Sequence, residues 1–190
     1  MRITGGIFRG RRLATPRGVG TRPMTERVRK ALFDILGGLS GARILDLFSG
    51  SGALGLEALS RGAASVVFVE ASAEALSVIR KNVQALGLED RVQLVRGSLP
   101  QALKRIPPGP YQLVFITPPY GKGLGERTLA ALPPEILAPE AIIVLEERRN
   151  SRIDPGKTPF EVQEIRKYGD TSLYFLKVRE ESREWPRSPR

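Results

Sequence analysis

Short apolar runs alternate with amphipathic stretches between residues 42 and 147 of the chain. The runs are bounded by glycine, proline or polar residues, as is typical of buried strands, and lie at 42–48, 65–70, 91–97, 111–117 and 141–147. Helical spacing of apolar residues predicts helices in the segments between them, at 51–63, 72–87, 98–106 and 127–137, with Pro133–Pro134 breaking the last. This alternation predicts an α/β fold with a doubly wound, mostly parallel sheet.

The two ends of the chain follow other patterns. Residues 2–16 alternate loosely around Arg9, which predicts a β-hairpin arm, and Thr25 is the predicted N-cap of a helix that ends at Gly37. Near the other end, two predicted strands meet at Gly169–Asp170 and form an antiparallel hairpin. We expect three parts, namely a basic arm at 1–24, a domain at 25–179 and a disordered tail at 180–190.

The composition excludes several kinds of chemistry. The 190 residues are 41% hydrophobic, which suits one domain with a full core. There is neither cysteine nor histidine, so no disulfide, thiolate nucleophile, imidazole base or usual zinc site can form. The apolar runs are too short to cross a membrane, and residues 1–13 lack the apolar core of a signal peptide. We expect a cytoplasmic protein that uses no metal and binds no membrane.

The positive charge is concentrated at one end. Residues 1–30 hold nine arginines and lysines and one acid, and therefore +8 of the net charge of +10. Such a block favours a phosphate-rich partner, and we interpret the arm as an RNA contact. A basic surface that is merely solvated is the alternative. The candidate RNA-binding residues are Arg2, Arg9, Arg11, Arg12, Arg22 and Lys122.

A glycine-rich loop follows the run at 42–48. Gly50, Gly52 and Gly55 form the pattern G-x-G-x-x-G between a predicted strand and a predicted helix. Glycines allow a tight turn and close approach to a ligand, and the N-terminus of the helix presents free N–H groups. Glu70 ends the next predicted strand, about 20 residues further on, where an acid can bind ribose hydroxyls. The combination predicts a site for a cofactor that contains a nucleoside.

Asp46, four residues ahead of Gly50, distinguishes two classes of cofactor. A carboxylate at this point would repel the pyrophosphate of a dinucleotide and attract a cation. S-adenosylmethionine carries a sulfonium and an ammonium and no phosphate. The charge therefore favours this methyl donor over NAD, although Asp46 also suits a structural carboxylate that accepts hydrogen bonds from the loop.

These motifs carry a resemblance to known enzymes. Residues 44–63, ILDLFSGSGALGLEALSRGA, resemble the S-adenosylmethionine loop of class I methyltransferases. Residues 2–13, 21–36 and 168–176 resemble the N-terminal arm, the first helix and the last hairpin of the bacterial 16S rRNA guanine-N2 methyltransferases. The resemblance covers about residues 1–178. It implies a Rossmann-like, seven-stranded fold, a monomer, and methylation of one guanine amine in small-subunit rRNA, either free or in an assembly particle.

In that family the fourth strand ends in Asp/Asn-Pro-Pro-Tyr/Phe, which here reads Thr117-Pro118-Pro119-Tyr120. The lone pair of a purine amine is delocalised into the ring, and accepting hydrogen bonds from its N–H groups localises that pair on the nitrogen. The resemblance assigns this role to the first side chain and to the carbonyl of Pro118. The prolines stiffen the loop, and Tyr120 stacks on the extruded base.

Thr117 departs from the family pattern. Its hydroxyl accepts a hydrogen bond without a charge and is a weaker acceptor than a carboxylate. Asp34, Glu26 and Glu146 are the acids that we considered as substitutes. Three readings stay open: guanine-N2 methylation, adenine-N6 methylation of DNA or RNA, and a module that binds cofactor and RNA with weakened catalysis.

Position 98 is a second departure, because the family usually has Gly-Asp where this chain has Gly97–Ser98. We favour Ser98 as the N-cap of the helix at 98–106 over Ser98 as an adenine contact. Arg22 and Thr25 lie where the family's first helix meets cofactor and base. The cofactor site implied by the resemblance comprises Thr25, Asp46, Phe48, Ser49, Gly50, Gly52, Glu70, Ala71, Gly97 and Ser98.

Overall fold

The seven strands form one sheet in the order β3-β2-β1-β4-β5-β7-β6. A computed structural model describes residues 1–16, 24–151 and 153–184. Pairing from β3 to β5 is parallel, and β7 runs antiparallel to both of its neighbours. This arrangement confirms the predicted fold class. The strands are β1 Arg43–Leu47, β2 Ser65–Glu70, β3 Val92–Arg96, β4 Tyr111–Ile116, β5 Leu137–Arg148, β6 Phe160–Tyr168 and β7 Thr171–Val178.

The central strands are apolar on both sides because helices cover both faces of the sheet. In β1, Ile44 lies in the cluster under α1, α2 and α3, whereas Leu45 lies in the cluster under α4, and neither is exposed to solvent. The helices are α1 Glu26–Leu36, α2 Ala53–Ser60, α3 Ala73–Leu86 and α4 Leu124–Ala131. Among the described residues no helix has the length and apolar character needed to cross a membrane.

The helix ends follow the capping residues. The Thr25 hydroxyl accepts a hydrogen bond from the Val28 N–H at 3.3 Å, and Ser72 caps α3 in the same way at 3.2 Å. Gly37 and Gly87 end α1 and α3 with positive φ angles of 69° and 65°. The predicted start of the first helix and both predicted glycine stops are therefore confirmed.

Two segments differ from their predictions. Residues 98–106 form only a short 3-10 helix, Gln101–Arg105, because prolines at 100 and 107 leave no room for an α-helix. At the start of the predicted tail, Glu180–Glu184 form another 3-10 helix. Just before it, the backbone N–H of Arg179 donates to the Pro159 carbonyl and its guanidinium to the Phe160 carbonyl. Residues 185–190 lie outside the described residues.

The arm packs on the domain and forms less β-structure than predicted. Its two sides meet in one bridge pair, Arg2 with Arg12, rather than in strands. Ile3 and Leu13 are buried in the cluster that α1, α2 and α3 share. Several other polar groups of the arm bind helices instead of the opposite side of the arm, which limits the ladder. The N–H groups of Ile7 and Phe8, for example, donate to the carbonyl and hydroxyl oxygens of Ser60.

A buried carboxylate joins the arm to α1 and α2. Glu57, on α2, is fully buried and lies 3.2 Å from the guanidinium of Arg29, which is also buried. Glu57 also pairs with Arg61 at 2.9 Å and accepts hydrogen bonds from the backbone N–H and the hydroxyl of Thr4 at 2.8 and 2.6 Å. These contacts fix α2, and with it the loop that precedes α2.

β6 is the outer strand on one side of the sheet. It contains four charged residues, Glu161, Glu164, Arg166 and Lys167, and its register with β7 shifts between Val162 and Glu164.

Candidate active site

The site lies where the strand order reverses, at the carboxyl ends of β1 and β4. Open α/β sheets bind ligands at this point because the loops leave the two strands in opposite directions. The loop after β4 is joined to the end of β1, since the Thr117 N–H donates to the Leu47 carbonyl at 3.3 Å. The tetrapeptide and the glycine loop are therefore neighbours.

The glycine loop turns sharply after β1. Phe48 has a φ angle of 62°, a left-handed conformation that is uncommon for a residue with a side chain. The buried hydroxyl of Ser49 lies 2.6 Å from the Asp46 carbonyl oxygen and 3.1 Å from that of Val69, so Ser49 fastens the loop to β1 and β2. At Gly55, an added Cβ would lie 2.3 Å from the Phe68 ring. Glycine is required there because α2 crosses the sheet at very close range.

Asn82, on α3, joins the glycine loop to the arm. Its side-chain N–H groups donate to the carbonyl oxygens of Ser51 at 3.2 Å and Ala14 at 3.0 Å. Its side-chain oxygen accepts from the Ala14 N–H at 2.8 Å, and the residue is 4% exposed. Sequence reasoning missed Asn82. A buried amide on the apolar face of a helix is the signal that could have revealed it.

Glu70 ends β2 as predicted and organises the neighbouring turns. One carboxylate oxygen accepts from the Gly50 N–H and the other from the Ser72 N–H, both at 2.9 Å. A carboxylate has about four lone-pair sites, so two stay available for hydroxyl donors. Glu70 can therefore bind ribose while it holds the loop.

Asp46 is buried under the glycine loop. Its Oδ2 accepts from the Gly55 N–H at 3.0 Å, and its Oδ1 is buried with no hydrogen-bond partner among the described residues. Burial, with a smaller contribution from the charge of Glu70, raises the pKa of Asp46 to about 8. The structural role considered for Asp46 is confirmed, and its second oxygen remains available for a hydrogen bond with a ligand.

At the end of β3, Gly97 is adjacent to Arg105. The guanidinium of Arg105 lies where a Gly97 Cβ would project, with one terminal nitrogen 1.9 Å from that position. Sequence reasoning did not anticipate this cation beside the predicted adenine contact. Ser98 is not the side-chain cap of the 3-10 helix, because Pro100 occupies the cap position and, among the described residues, no side chain caps this helix with a hydrogen bond. The preferred prediction for Ser98 is therefore wrong.

The tetrapeptide follows β4 directly. The Thr117 hydroxyl lies 3.4 Å from the Phe48 carbonyl oxygen and 3.5 Å from that of Leu47, so its proton points to the end of β1. Its lone pairs remain able to accept a hydrogen bond. Pro118 is buried, and Pro119 and Tyr120 are half-buried. This geometry suits a fixed acceptor beside an accessible aromatic ring.

Tyr120 is held at its hydroxyl. The hydroxyl donates to Glu146 of β5 and lies 3.1 Å from the Thr171 hydroxyl of β7. The guanidinium carbon of Arg148 is 6.0 Å from the centre of the ring. Burial, followed by the contact with Glu146, raises the pKa of Tyr120, and burial also raises the pKa of Glu146. The phenol therefore stays protonated and donates.

The three substitute acids have different positions. Glu146 contacts the tetrapeptide through Tyr120. Asp34 pairs with Lys30 at 2.6 Å on the surface of α1, and Glu26 accepts from the Arg2 backbone N–H at 2.6 Å.

Three other residues of the predicted cofactor site are exposed, namely Thr25 at the start of α1, Ala71 and Ser98. Arg22 lies outside the described residues.

The candidate RNA-binding residues lie in two places, near the tetrapeptide and along the arm. Lys122 is exposed two residues after the tetrapeptide, whereas the tip of the arm, with Arg9, packs at the far end of α2 from the glycine loop. The eight residues of α2 span about 12 Å. Arg11 donates to the Ala85 carbonyl at 3.2 Å, and Arg2, Arg9, Arg11 and Arg12 are exposed along the arm.

The polar groups of the site fit S-adenosylmethionine. Asp46 supplies a buried oxygen without a partner among the described residues, Glu70 retains acceptor sites, and no atom lies within 4 Å of a Cβ placed on Gly50. Among the described residues no cluster of histidine, cysteine or acidic side chains could hold a metal ion.

The sheet order, the glycine loop and the tetrapeptide define a Rossmann-like methyltransferase, a class that uses S-adenosylmethionine. The family described as Conserved hypothetical protein 95 matches residues 1–177, and the chain belongs to this family. Ribosomal RNA small subunit methyltransferase D of Escherichia coli K12 is 40% identical over 148 residues, or 77% of this chain and 74% of the relative. The Buchnera aphidicola protein of the same name, from subsp. Acyrthosiphon pisum, is 33% identical over 156 residues, or 80% and 81% of the two chains. The family resemblance seen in the sequence is confirmed.

Solved structures agree with this assignment. The Escherichia coli protein yhhF, described as a candidate methyltransferase, is 33% identical with a TM-score of 0.78, and the match covers 94% of this chain and 97% of that one. A hypothetical protein of Thermus thermophilus is 31% identical with a TM-score of 0.74, over 94% and 99% of the two chains.

Proposed function

We propose that the protein transfers a methyl group from S-adenosylmethionine to the exocyclic N2 amine of a guanine in small-subunit rRNA. The observation that carries the proposal is the position of Thr117–Tyr120, which leave β4 beside the glycine loop, with Thr117 bonded to the end of β1. The groups that would accept hydrogen bonds from the amine are thereby adjacent to the loop that would bind the cofactor. The names of the relatives, which specify rRNA of the small subunit, support the choice of substrate.

Different residues of the proposed cofactor site bind different parts of S-adenosylmethionine. When bound, S-adenosylmethionine supplies a methyl group that its sulfonium already activates, so the protein's task is to orient it. Asp46 would offer its unpartnered oxygen under the loop, Glu70 would accept hydrogen bonds from the ribose hydroxyls, and Gly97 and Ser98 would contact the adenine. The remaining cofactor contacts in the proposal are Thr25, Phe48, Ser49, Gly50, Gly52 and Ala71.

The tetrapeptide prepares the amine. Thr117 accepts one N–H through its hydroxyl oxygen and Pro118 accepts the other through its carbonyl, which localises the lone pair of the nitrogen. The ring of Tyr120 stacks on the base, an interaction worth about 1–3 kcal/mol. Because Thr117 carries no charge, it localises the lone pair less strongly than an aspartate would.

The basic arm and Lys122 bind the RNA backbone in this proposal. The exposed arginines of the arm lie along one side of the domain, and Lys122 follows the base-binding loop. Such contacts position a nucleic acid without reading its sequence. RNA binding should therefore weaken as the salt concentration rises, since each neutralised phosphate releases counterions.

The proposal is tested by methyl transfer to small-subunit particles and to naked rRNA, both taken from cells that lack the modification. The protein is incubated with radiolabelled methyl donor, and the RNA is digested to nucleosides. Labelled N2-methylguanosine is the expected product. Labelled N6-methyladenosine would replace the proposal with adenine methylation, and donor binding without transfer would identify a module with lost catalysis.

A further inference from the structure

Three residues of the β5–β7 pair surround Tyr120. Its hydroxyl donates to Glu146 and lies 3.1 Å from the Thr171 hydroxyl, and Arg148 faces the ring. Arg148 and Thr171 are directly paired across the two strands, and Glu146 is two residues before Arg148 on β5. The hydroxyl end of the tyrosine is therefore fixed by the end of β5 and the start of β7, which belong neither to the glycine loop nor to the tetrapeptide.

Glu146 is an unusual residue for this place. It is 6% exposed, and no ion pair joins it to a cation among the described residues. A buried carboxylate without a cation destabilises a fold unless hydrogen bonds compensate. The hydrogen bond that the described structure provides comes from Tyr120. Tyr120 is thus the group whose position Glu146 sets.

An aromatic ring stacks well only if its plane is fixed before the base arrives. Pro118 and Pro119 restrict the backbone, but the tyrosine side chain still has two rotatable bonds. A hydrogen bond at the hydroxyl, the atom furthest from the backbone, removes most of that remaining freedom. Groups held in this way need no reorganisation when the substrate binds.

We infer that Glu146, with Thr171, positions the Tyr120 ring for stacking on the target base. Glu146 is a positioning residue, because it acts on the base through Tyr120. The inference rests on the proposed function for the identity of the base. It adds a second support to the loop, from β5 and β7, that the tetrapeptide motif does not contain.

The test is a double-mutant cycle in the methyl-transfer assay, with Tyr120→Phe, Glu146→Ala and the double variant. We expect each single variant to lower kcat/KM for RNA by roughly tenfold, the effect of losing one hydrogen bond to a charged group, with an unchanged KM for S-adenosylmethionine. The double variant should be no slower than Tyr120→Phe. Glu146→Gln keeps an oxygen that can accept and should retain most of the activity.

Glu147→Gln is the matched control. Glu147 is the next residue on β5 and is 7% exposed against 6% for Glu146; it makes none of the described hydrogen bonds of Tyr120 and contributes only a smaller charge effect there. An equal loss in this variant would overturn the inference in favour of general packing. A further loss on adding Glu146→Ala to Tyr120→Phe would overturn it in favour of direct contact between Glu146 and the base.

A second measurement does not depend on activity. The chain has four tyrosines, so protein labelled with ¹³C at the phenol carbon gives few signals, and Tyr120→Phe identifies that of Tyr120. Glu146→Ala should move this signal toward the position of a solvent-exposed phenol, and Glu147→Gln, which removes only a smaller charge effect, should move it much less. If wild-type protein methylates no RNA, the proposed function fails and this signal alone decides whether Glu146 holds the ring. An unmoved signal in Glu146→Ala overturns the inference.

Discussion

The Asp46 carboxylate accepts a hydrogen bond from the Gly55 N–H at 3.0 Å, and this bond closes the glycine loop at its base. It joins the fourth residue of β1 to the first turn of α2. The Asp46 side chain therefore supports the loop from the side of the sheet, and the opposite side of the loop faces the ligand site. The second oxygen of the same carboxylate is buried with no partner among the described residues.

The first prediction concerns the stability of the protein as a function of pH. Because the pKa of Asp46 is raised from 3.8 to about 8, the folded protein keeps a proton there that the unfolded chain releases. The unfolded state therefore binds fewer protons between about pH 4 and pH 8, and the free energy of unfolding should fall as pH rises through that window. Asp46→Asn should reduce this slope in urea denaturation.

The comparison between variants isolates Asp46. Burial also raises the pKa of Glu146 and Glu147, and these groups add a falling slope that wild type and Asp46→Asn share. Identical slopes in the two proteins would mean that the Asp46 carboxyl titrates normally.

Gly55→Ala should destabilise the protein by about 1–3 kcal/mol, the usual effect of overpacking. The new Cβ would lie 2.3 Å from the Phe68 ring, so α2 would have to move away from the sheet. Gly38→Ala is the control, because no atom lies within 4 Å of its Cβ position. The measurement is the midpoint of thermal unfolding, and equal midpoints for the two variants would contradict the close packing.

Asn82→Ala should weaken both the fold and the binding of S-adenosylmethionine. The variant removes the hydrogen bonds to Ser51 and Ala14, which we expect to lower the free energy of unfolding by about 2 kcal/mol. It also frees one side of the glycine loop, so the dissociation constant of the cofactor in calorimetry should rise. Gln84→Ala, at an exposed position of the same helix, should change neither quantity. A stability loss with unchanged cofactor affinity would show that the loop does not depend on Asn82.

Glu57→Gln should be strongly destabilising, by about 3–5 kcal/mol, because it leaves the buried Arg29 without its anion. One guanidinium nitrogen of Arg29 already lacks a partner among the described residues. Glu89→Gln, at an exposed acid, serves as the control in guanidinium denaturation. Equal stability of the two variants would mean that water replaces the lost charge.

Thr117→Asp should raise the rate of methyl transfer. A carboxylate accepts the amine hydrogen bond more strongly than a hydroxyl, and by analogy with the loss of one oxyanion donor the difference is roughly 10²-fold. Thr117→Val removes the acceptor and should lower the rate. Single-turnover kinetics with saturating cofactor would measure both, and no gain for Thr117→Asp would mean that the hydroxyl suffices.

Local sequence signals predicted the elements well where one residue type determines the geometry. The predicted strand at 65–70 has the same bounds as β2, and Thr25 and Gly87 cap their helices as expected. The arm was less predictable, because its polar groups bind Ser60 and Asn82 more than 50 residues away instead of an adjacent strand.

The site was predictable only in part, because some of its contacts join residues that are far apart in the sequence. The glycine loop, Glu70 and the tetrapeptide are contiguous motifs, and the sequence reveals them directly. Glu146 was one of three acids that the sequence could not place, and its contact with Tyr120 depends on the pairing of β5 with β7. The contact between Arg105 and Gly97 could not be predicted either, because it depends on the 3-10 helix Gln101–Arg105 that forms between the flanking prolines.

The composition of β6 has a consequence for association between copies of the chain. An outer strand offers unpaired backbone groups to which the strand of another molecule can add. Here Arg166 and Lys167 are exposed at that edge, and the shift in register between Val162 and Glu164 interrupts the regular spacing of those groups. The sheet therefore does not extend readily through β6 into a second copy, and this edge resists the first step of aggregation.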